Sequence, residues 1–579
     1  MSTVSSSLLP ESMEVIAGPT LDNVLALVPS LAASSQAHQN MASGIRTLCR
    51  VLDKRPAEIP IHTPTLRRLI AAASPGAVGL GAARWRNVRS DVGRAVRLSG
   101  LSVDVAAEKV PLTDDWEAVA LRAENPVQRS VLRRFGRFCC SRQVAPEDAD
   151  DDVLDQFLDY LDLNQLSKTP ERTVRDVIRF WNCIVAVGPP ARFKPLRIRG
   201  TNRNYTLSWD QLPEALLEDA RAFRKRSLDP SYLTDAVTHR PVRPATAIQR
   251  DRMLRRLASA EILAGVDPDH LQSLAELVDP DHLKRGLQFF IERNGGQPNK
   301  QVFDMALLAL VIARHWAALP DEQVTVIERW ANKFHVPQNG MTDKNREGLR
   351  QFADVDVIRA LLTLPEQLIA KAKRLPVCTR SALMVQKAVA LALLTTAPLR
   401  LGNLRILDRQ RHFRRAFSVD DPHYQLVIPA AEVKNKVDLE FPIPPRIMDM
   451  IELYIATYQP LLTNGHPSTL LFPGRTGQAK HDTALRSNIT DVVYKELGLR
   501  VNPHLFRHLC AFLFLKAHPG HYESVRQLLG HKNIQTTTNF YAGFETDEAM
   551  HRFNKVIDGF REGTGRKSLG RDSPSASKG

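Results

Sequence analysis

The stretch NPHLFRHLCAFLFLKAH, residues 502–518, decides the fold, because it has to be a helix with two unlike faces. Asn502 is a helix-capping residue and Pro503 suits the first helical position. Leu505, Leu509 and Phe512 recur at helical spacing and mark a face that seeks a core. His504, Arg507 and His508 lie three and four positions apart and so share a different face. A core needs none of these three. A site that holds an anion does, because a guanidinium offers a planar fork of donors and an imidazole can donate or move a proton near neutral pH. A helix start adds its own preference for anions. A metal site is the weaker reading: the acidic residue of an HExxH pair is missing, and Arg507 between the histidines would repel a cation.

Composition agrees with a polyanion partner. The 579 residues carry a formal net charge of +15, and 43% of them are hydrophobic, enough for real cores. The six cysteines form no CxxC pair, which suits reduced thiols better than a disulfide frame or a structural zinc. The start, MSTVSSSLLPESMEV, lacks the basic and apolar regions of a signal peptide, and no apolar run is long enough to span a bilayer. The expectation is a cytoplasmic protein, nucleoid-associated when on DNA, with no membrane partner and no cofactor or metal. FPGRTG at 472–477 is too short for a phosphate-binding loop and lacks its GK[ST] ending.

Three further segments bear on the helix at 502. Downstream, VRQLLGHKNIQTTTNFYAG (525–543) ends a helix at Gly530, places His531 at the break, and reads as a Thr-rich turn leading to Tyr541. Upstream, HYQLVIPAAEVKNKVDLEFPIP holds two short apolar runs around a charged turn, a β-hairpin signal. It follows SALMVQKAVALALLTTAPLR, whose apolar stripe marks a helix ended by Pro398.

Together these segments resemble the C-terminal signature of the tyrosine recombinases, the phage integrase family. HLFRH supplies the HxxR pair, His504 and Arg507. LLGH supplies the second histidine, His531, and FY supplies the tyrosine, Tyr541. TAPLRLGNLRIL places Arg400 where the family has its upstream arginine, and EVKNK places Lys434 as the hairpin lysine, with Lys436 as the alternative. All six types occur in family order between Arg400 and Tyr541. The departures are Asn403 where the family usually has an acid, Pro398 for the glycine of TGLR, and one extra residue between His531 and Tyr541.

The resemblance implies a catalytic set of Arg400, Lys434, His504, Arg507, His531 and Tyr541. It implies site-specific cutting and rejoining of double-stranded DNA through a 3′-phosphotyrosyl link, in integration or recombination of a mobile element. Neither ATP nor metal is required, because the link conserves the diester's energy. It also implies a homo-oligomer on DNA. A type IB topoisomerase-like relaxing enzyme and an inactive DNA-binding relic are the alternatives.

The fold class expected is mainly α, with a small β-hairpin or sheet in the C-terminal catalytic domain and helical SAM-like units before it. Along the chain this gives a loosely ordered N-terminus (1–40) and a helical N-terminal region (41–120) bearing Arg84, Arg86, Arg89, Arg94 and Arg97. A helical SAM-like, core-binding-like unit (121–195) follows, then a Pro-rich linker (196–243). A second core-binding-like unit (244–350) has an LRRL that echoes the LRRF of the first. The catalytic domain (351–562) and a disordered tail (563–579) complete the chain. Phe553, Val556, Ile557 and Phe560 sit at helical spacing beyond Tyr541 and would pack either on their own domain or on a neighbouring protomer.

Overall fold

The computed structural model describes residues 18–101, 110–164, 166, 170–187, 193–197, 205–229, 241–335, 340–415, 424–541 and 546–561. The expected tail at 563–579, Gly543, and the first 17 residues of the expected loose N-terminus lie outside them. Two compact units result, one built from residues 1–196 with 339–579 and one from 197–338.

The first unit holds three hydrophobic cores. The first gathers Leu21, Met41, Ile45, Leu66, Trp85, Val88 and Val92 from the helices Leu21–Leu27, Ser35–Leu52, Thr63–Ala72 and Ala82–Leu98. Among the described residues helix and core are already present at Leu21, which corrects the expectation of a loose segment up to residue 40. Ser34 caps the second helix by accepting from the Ala37 amide at 3.3 Å. On Ala82–Leu98 the buried residues alternate with arginines at helical spacing, and Arg84, Arg86, Arg94 and Arg97 are exposed. The second core is aromatic. Trp116 meets Phe135 edge-on at 5.6 Å, with Phe138, Phe157 and Trp181 around them. Trp116 therefore belongs with the helices that follow, not with the region ending at 120.

The third core of this unit gathers residues from Met341 to Tyr541. The helix Thr379–Thr396 is buried almost all round, from Ser381 to Leu394, so it forms the centre of the layer rather than its face. Strands β1 (Phe413–Arg415), β2 (Tyr424–Ile428) and β3 (Leu439–Ile443) form an antiparallel sheet in that order. The β2–β3 register pairs Leu426 with Phe441 and Ile428 with Leu439. Along β3, Leu439, Phe441 and Ile443 are buried while Glu440 and Pro442 are exposed, the period of a sheet with one wet face. Met341, Leu349 and Phe352 are buried in this same core, so it begins before the expected boundary at 351.

Hydrogen bonds between described residues fasten the N-terminal helices to this third core. The Gly76 amide donates to the Gly498 carbonyl at 3.2 Å, Arg500 Nε to the Ala73 carbonyl at 3.2 Å, and Trp85 Nε1 to the Tyr494 hydroxyl at 3.1 Å. Gly76 is required here: a Cβ on it would lie 2.0 Å from the Leu497 carbonyl oxygen.

The second unit has its own core. The helix Glu214–Leu228 buries Leu216, Ala220 and Phe223 with Leu257, Leu287, Met305 and Ile312. This corrects the expected linker at 196–243 for its residues 212–228. The apolar stripe Leu212, Leu216, Ala220 and Phe223 follows the Pro- and Arg-rich stretch at 189–204.

Candidate active site

The helix Pro503–Ala517 begins as its sequence predicts. Asn502 Oδ1 accepts from the amides of His504 and Leu505 at 2.9 and 3.0 Å. Leu505, Phe506, Leu509 and Leu515 are buried. Of the polar ridge, His504 is exposed, whereas Arg507 and His508 are each 3% exposed.

Arg507 is fully committed to the fold on one side. Its Nη2 donates to the Leu529 carbonyl at 2.7 Å, and its Nη1 donates to the Pro398 carbonyl. Those carbonyls precede His531 and Arg400 by two residues each. One guanidinium thus pulls together the two segments that carry the other members of the set. Arg507 is therefore packed into the core, which corrects the expectation that it faces a site and not a core. Burial and the nearby Arg400 charge push Arg507 down to about 10.

Arg400 stands at the start of the short helix Leu401–Arg405, just beyond the end of Thr379–Thr396. Its Nη1 is buried without a hydrogen-bond partner, and burial lowers its pKa. A desolvated guanidinium with an unused donor is an incomplete anion site. Asn403, on the same short helix, is buried and donates to the Glu432 carbonyl at 3.2 Å, which ties Arg400's helix to the β2–β3 connection.

His531 follows Gly530, whose φ of +59° ends the helix Tyr522–Leu529 in the left-handed conformation that favours glycine. His531 Nδ1 lies 3.0 Å from the hydroxyl of buried Thr537, and Arg526 Nη1 holds the His531 carbonyl at 2.8 Å. The Thr-rich segment is helix Ile534–Tyr541, not the turn expected. Asn533 Oδ1 accepts from the Gln535 amide at 2.9 Å and opens that helix, which is why three threonines are carried into it.

Tyr541 is the last residue of this helix. It is 2% exposed, and its hydroxyl lies 2.9 Å from His508 Nδ1. Burial raises the phenol above its ordinary value, and Arg507 opposes the rise. The three histidines move the other way. His504 is lowered by partial burial, then by Arg507 and Arg400. His531 is pushed down to about 4 by burial and by the Arg507, Arg400 and Arg526 charges. His508 is pushed down to about 3 by burial, then by His504, Arg507 and His531. At neutral pH the rings are uncharged among fixed cations, so they can accept protons or donate single hydrogen bonds.

Arg400, His504, Arg507, His531 and Tyr541 therefore converge. Lys434 is exposed in the β2–β3 connection, as is Lys436, whose φ is +52°. The connection is nonetheless anchored to the site, since Asn435 Nδ2 donates to the Gly530 carbonyl at 2.7 Å, next to His531. The residue missing from the expected set is His508. Its place on the ridge was visible in the sequence, but its contact with a tyrosine 33 positions away was not. Among the described residues no group of three or more His, Cys, Asp or Glu could hold a metal ion, and no helix is long and apolar enough to cross a membrane.

The stretch containing all six positions is matched by the model of the phage integrase family over residues 363–547. These residues are a phage integrase family domain. Tyrosine recombinase XerC of Pseudomonas aeruginosa is 32% identical over 104 residues, which cover 18% of this chain and 32% of that protein. The chain thus spans about a third of the length of that curated relative. Solved structures similar to the chain include XerH site-specific recombinase bound to palindromic difH substrate, at 12% identity and a TM-score of 0.32 over 58% of this chain and 94% of that one. The Tn1549 transposon integrase in complex with transposon right end DNA matches at 13% identity and a TM-score of 0.30, over 58% and 99%. The integrase from mycobacterium phage Brujita matches at 13% identity and a TM-score of 0.22, over 63% and 96%.

Proposed function

We propose that this protein is a site-specific DNA recombinase that cuts and rejoins strands of double-stranded DNA through a 3′-phosphotyrosyl intermediate, as an integrase of a mobile element. The observation that carries the reading is Arg400: a desolvated guanidinium with an unused donor, grouped with Arg507, His504, His531 and a tyrosine hydroxyl. A phosphodiester fits that group. Its two non-bridging oxygens gather charge in the transition state, and Arg400 with the free edge of Arg507 would neutralise it. His531 donates to the same oxygens.

The Tyr541 oxygen attacks phosphorus as the bond from phosphorus to the 5′-oxygen breaks. The phenol is buried and holds its proton at neutral pH, so a base must take it. His504 is kept neutral by partial burial and then by its cationic neighbours, and takes that role. Lys434 gives the 5′-oxygen its proton, the anchored hairpin carrying the lysine to the DNA. The reverse reaction with a 5′-hydroxyl from another strand reseals the chain, so no nucleotide is spent.

The formal charge of +15 and the exposed arginines of Ala82–Leu98 support a duplex DNA partner. Assembly on that DNA is supported by the helix Thr546–Arg561, which leaves Phe553, Val556 and Phe560 exposed on one face. A relaxing enzyme that works alone would have no use for that face. The test is a nicked duplex whose cleavage releases a short strand and traps the protein. The wild-type chain should become covalently joined to DNA, and Tyr541→Phe should bind the duplex equally but form no adduct. An adduct on the Phe variant would mean that another residue is the nucleophile.

A further inference from the structure

Tyr541 is held by more than its own helix. Its hydroxyl meets His508 Nδ1 at 2.9 Å, and the other ring nitrogen, Nε2, lies 3.3 Å from Asn345 Nδ2. An amide nitrogen can only donate, so Nε2 must present its lone pair. A neutral ring then carries its single proton on Nδ1. That N–H donates to the Tyr541 oxygen.

We propose that Asn345 and His508 are positioning residues for the nucleophile: Asn345 fixes the tautomer of His508, and His508 holds the Tyr541 oxygen as a hydrogen-bond acceptor. The inference rests on the nucleophilic role proposed for Tyr541. It has a mechanistic consequence. His508 has no lone pair facing the phenol, so it cannot take the phenolic proton, which must leave toward another group. As negative charge grows on the oxygen, the Nδ1–H remains pointed at it.

The surroundings keep the ring in that state. His504 and Arg507 face it from its own helix, with the His504 ring 4.6 Å away and nearly perpendicular. His531 faces it from the turn after Gly530, and Phe540 stacks on it at 6.2 Å and 15°. A second positive charge beside Arg507, on a ring 3% exposed, is strongly disfavoured.

Asn345 is itself well placed to set this geometry. It lies on the helix Asp343–Arg350, upstream of the residues matched by the family model. The segment around it grips both helices that must be kept in register. Gly348 sits under Leu505, where a Cβ would meet Cδ2 at 3.1 Å. Gln351 donates to the Arg500 carbonyl and accepts from the Arg500 amide, both at 3.1 Å. Gly340, at φ +77°, lies against the Asn539 carbonyl, which a Cβ would approach to 2.7 Å. One segment thus sets the distance between the helix of His508 and the helix of Tyr541.

Two measurements on the full chain test this. In the first, histidine is labelled with 15N, and the His508 signals are assigned by their loss in His508→Asn. The wild type should show a protonated Nδ1 and an unprotonated Nε2, and Asn345→Leu should show a mixture. A wild-type ring protonated on Nε2 overturns the proposal, as does an Asn345→Leu spectrum unchanged from wild type. The second measures adduct formation on the nicked duplex. His508→Asn places an amide donor near the Nδ1 position, and His508→Gln places it at the far end. His508→Asn should stay within about threefold of wild type, while His508→Gln and Asn345→Leu fall about tenfold at unchanged DNA affinity, the worth of one hydrogen bond. Equal losses in His508→Asn and His508→Gln would reduce His508 to a packing residue. A wild-type chain that forms no adduct would overturn the recombinase reading instead, and the nitrogen shifts would still decide the tautomer.

Discussion

Replacing Arg507 by methionine should loosen the catalytic domain as well as abolish its chemistry. The side chain is 3% exposed and gives donors to the carbonyls of Pro398 and Leu529. Methionine fills most of the volume but leaves both acceptors unpaired, at roughly 1–3 kcal/mol each. Removing a buried cation from beside Arg400 returns about 1–2 kcal/mol. The net loss is centred near about 2–3 kcal/mol, against a domain stability of roughly 5–15 kcal/mol, so the domain stays folded but opens more often. The released carbonyls are those that steer Arg400 and His531. Tryptophan fluorescence would miss the effect, because the six tryptophans lie at 85, 116, 181, 209, 316 and 330, outside the catalytic core. Amide hydrogen exchange over Pro503–Ala517 and Tyr522–Leu529 sees it directly. At about 1.4 kcal/mol per tenfold, protected amides there should exchange roughly 30 to 140 times faster. Exchange within about twofold of wild type would show that Arg507 clamps nothing and serves the phosphate alone.

Arg400 should behave in the opposite way. Its Nη1 is buried and unpaired, so Arg400→Met should change stability by less than about 1 kcal/mol while adduct formation falls by about 100-fold or more. A large loss of stability would contradict the unpaired donor. Gly76→Ala should detach the N-terminal helices from the catalytic core, since its Cβ would fall 2.0 Å from a backbone oxygen that cannot yield. Losing the three hydrogen bonds of that junction costs about 1.5–4.5 kcal/mol, and faster exchange at 494–500 with the site helix intact is the readout. In the second unit, Glu261 is wholly buried with neither carboxylate oxygen paired, and burial followed by Asp279 raises its pKa well above the ordinary value. The unfolded chain then releases this proton at lower pH than the folded one, so the unit loses stability as pH rises above about 4.3. Glu261→Met should remove that slope and add about 1–3 kcal/mol at neutral pH, read by urea unfolding through Trp209, Trp316 and Trp330; an unchanged slope would refute the assignment.

The contrast between the two arginines shows where sequence reading stops. Both are one residue type in one motif, and the motif names both for the same task. What separates them is which carbonyls lie within reach, and that depends on three segments, around 398, 507 and 529, meeting in space. The elements that were legible are those whose cause is local. Asn502 and Pro503 set the start of the site helix, Gly530 its neighbour's end, and the alternation Leu439, Phe441, Ile443 the last strand. The Thr536–Thr538 helix was not legible, because β-branched residues argue against helix on their own and only the Asn533 cap and the burial of Thr537 outweigh them. The helix Glu214–Leu228 was masked by the Pro-rich run before it, although its stripe was present. His508 marks the sharper limit. The same ridge that suggested an anion site contained it, but the anion-binding argument gave it no task. Its partners are an amide 163 positions before it and a phenol 33 positions after it. Spacing along one helix says which side chains look the same way; it cannot say what they look at. The chemistry of the site is written in residue types, and the geometry that divides the labour among them is written in the packing.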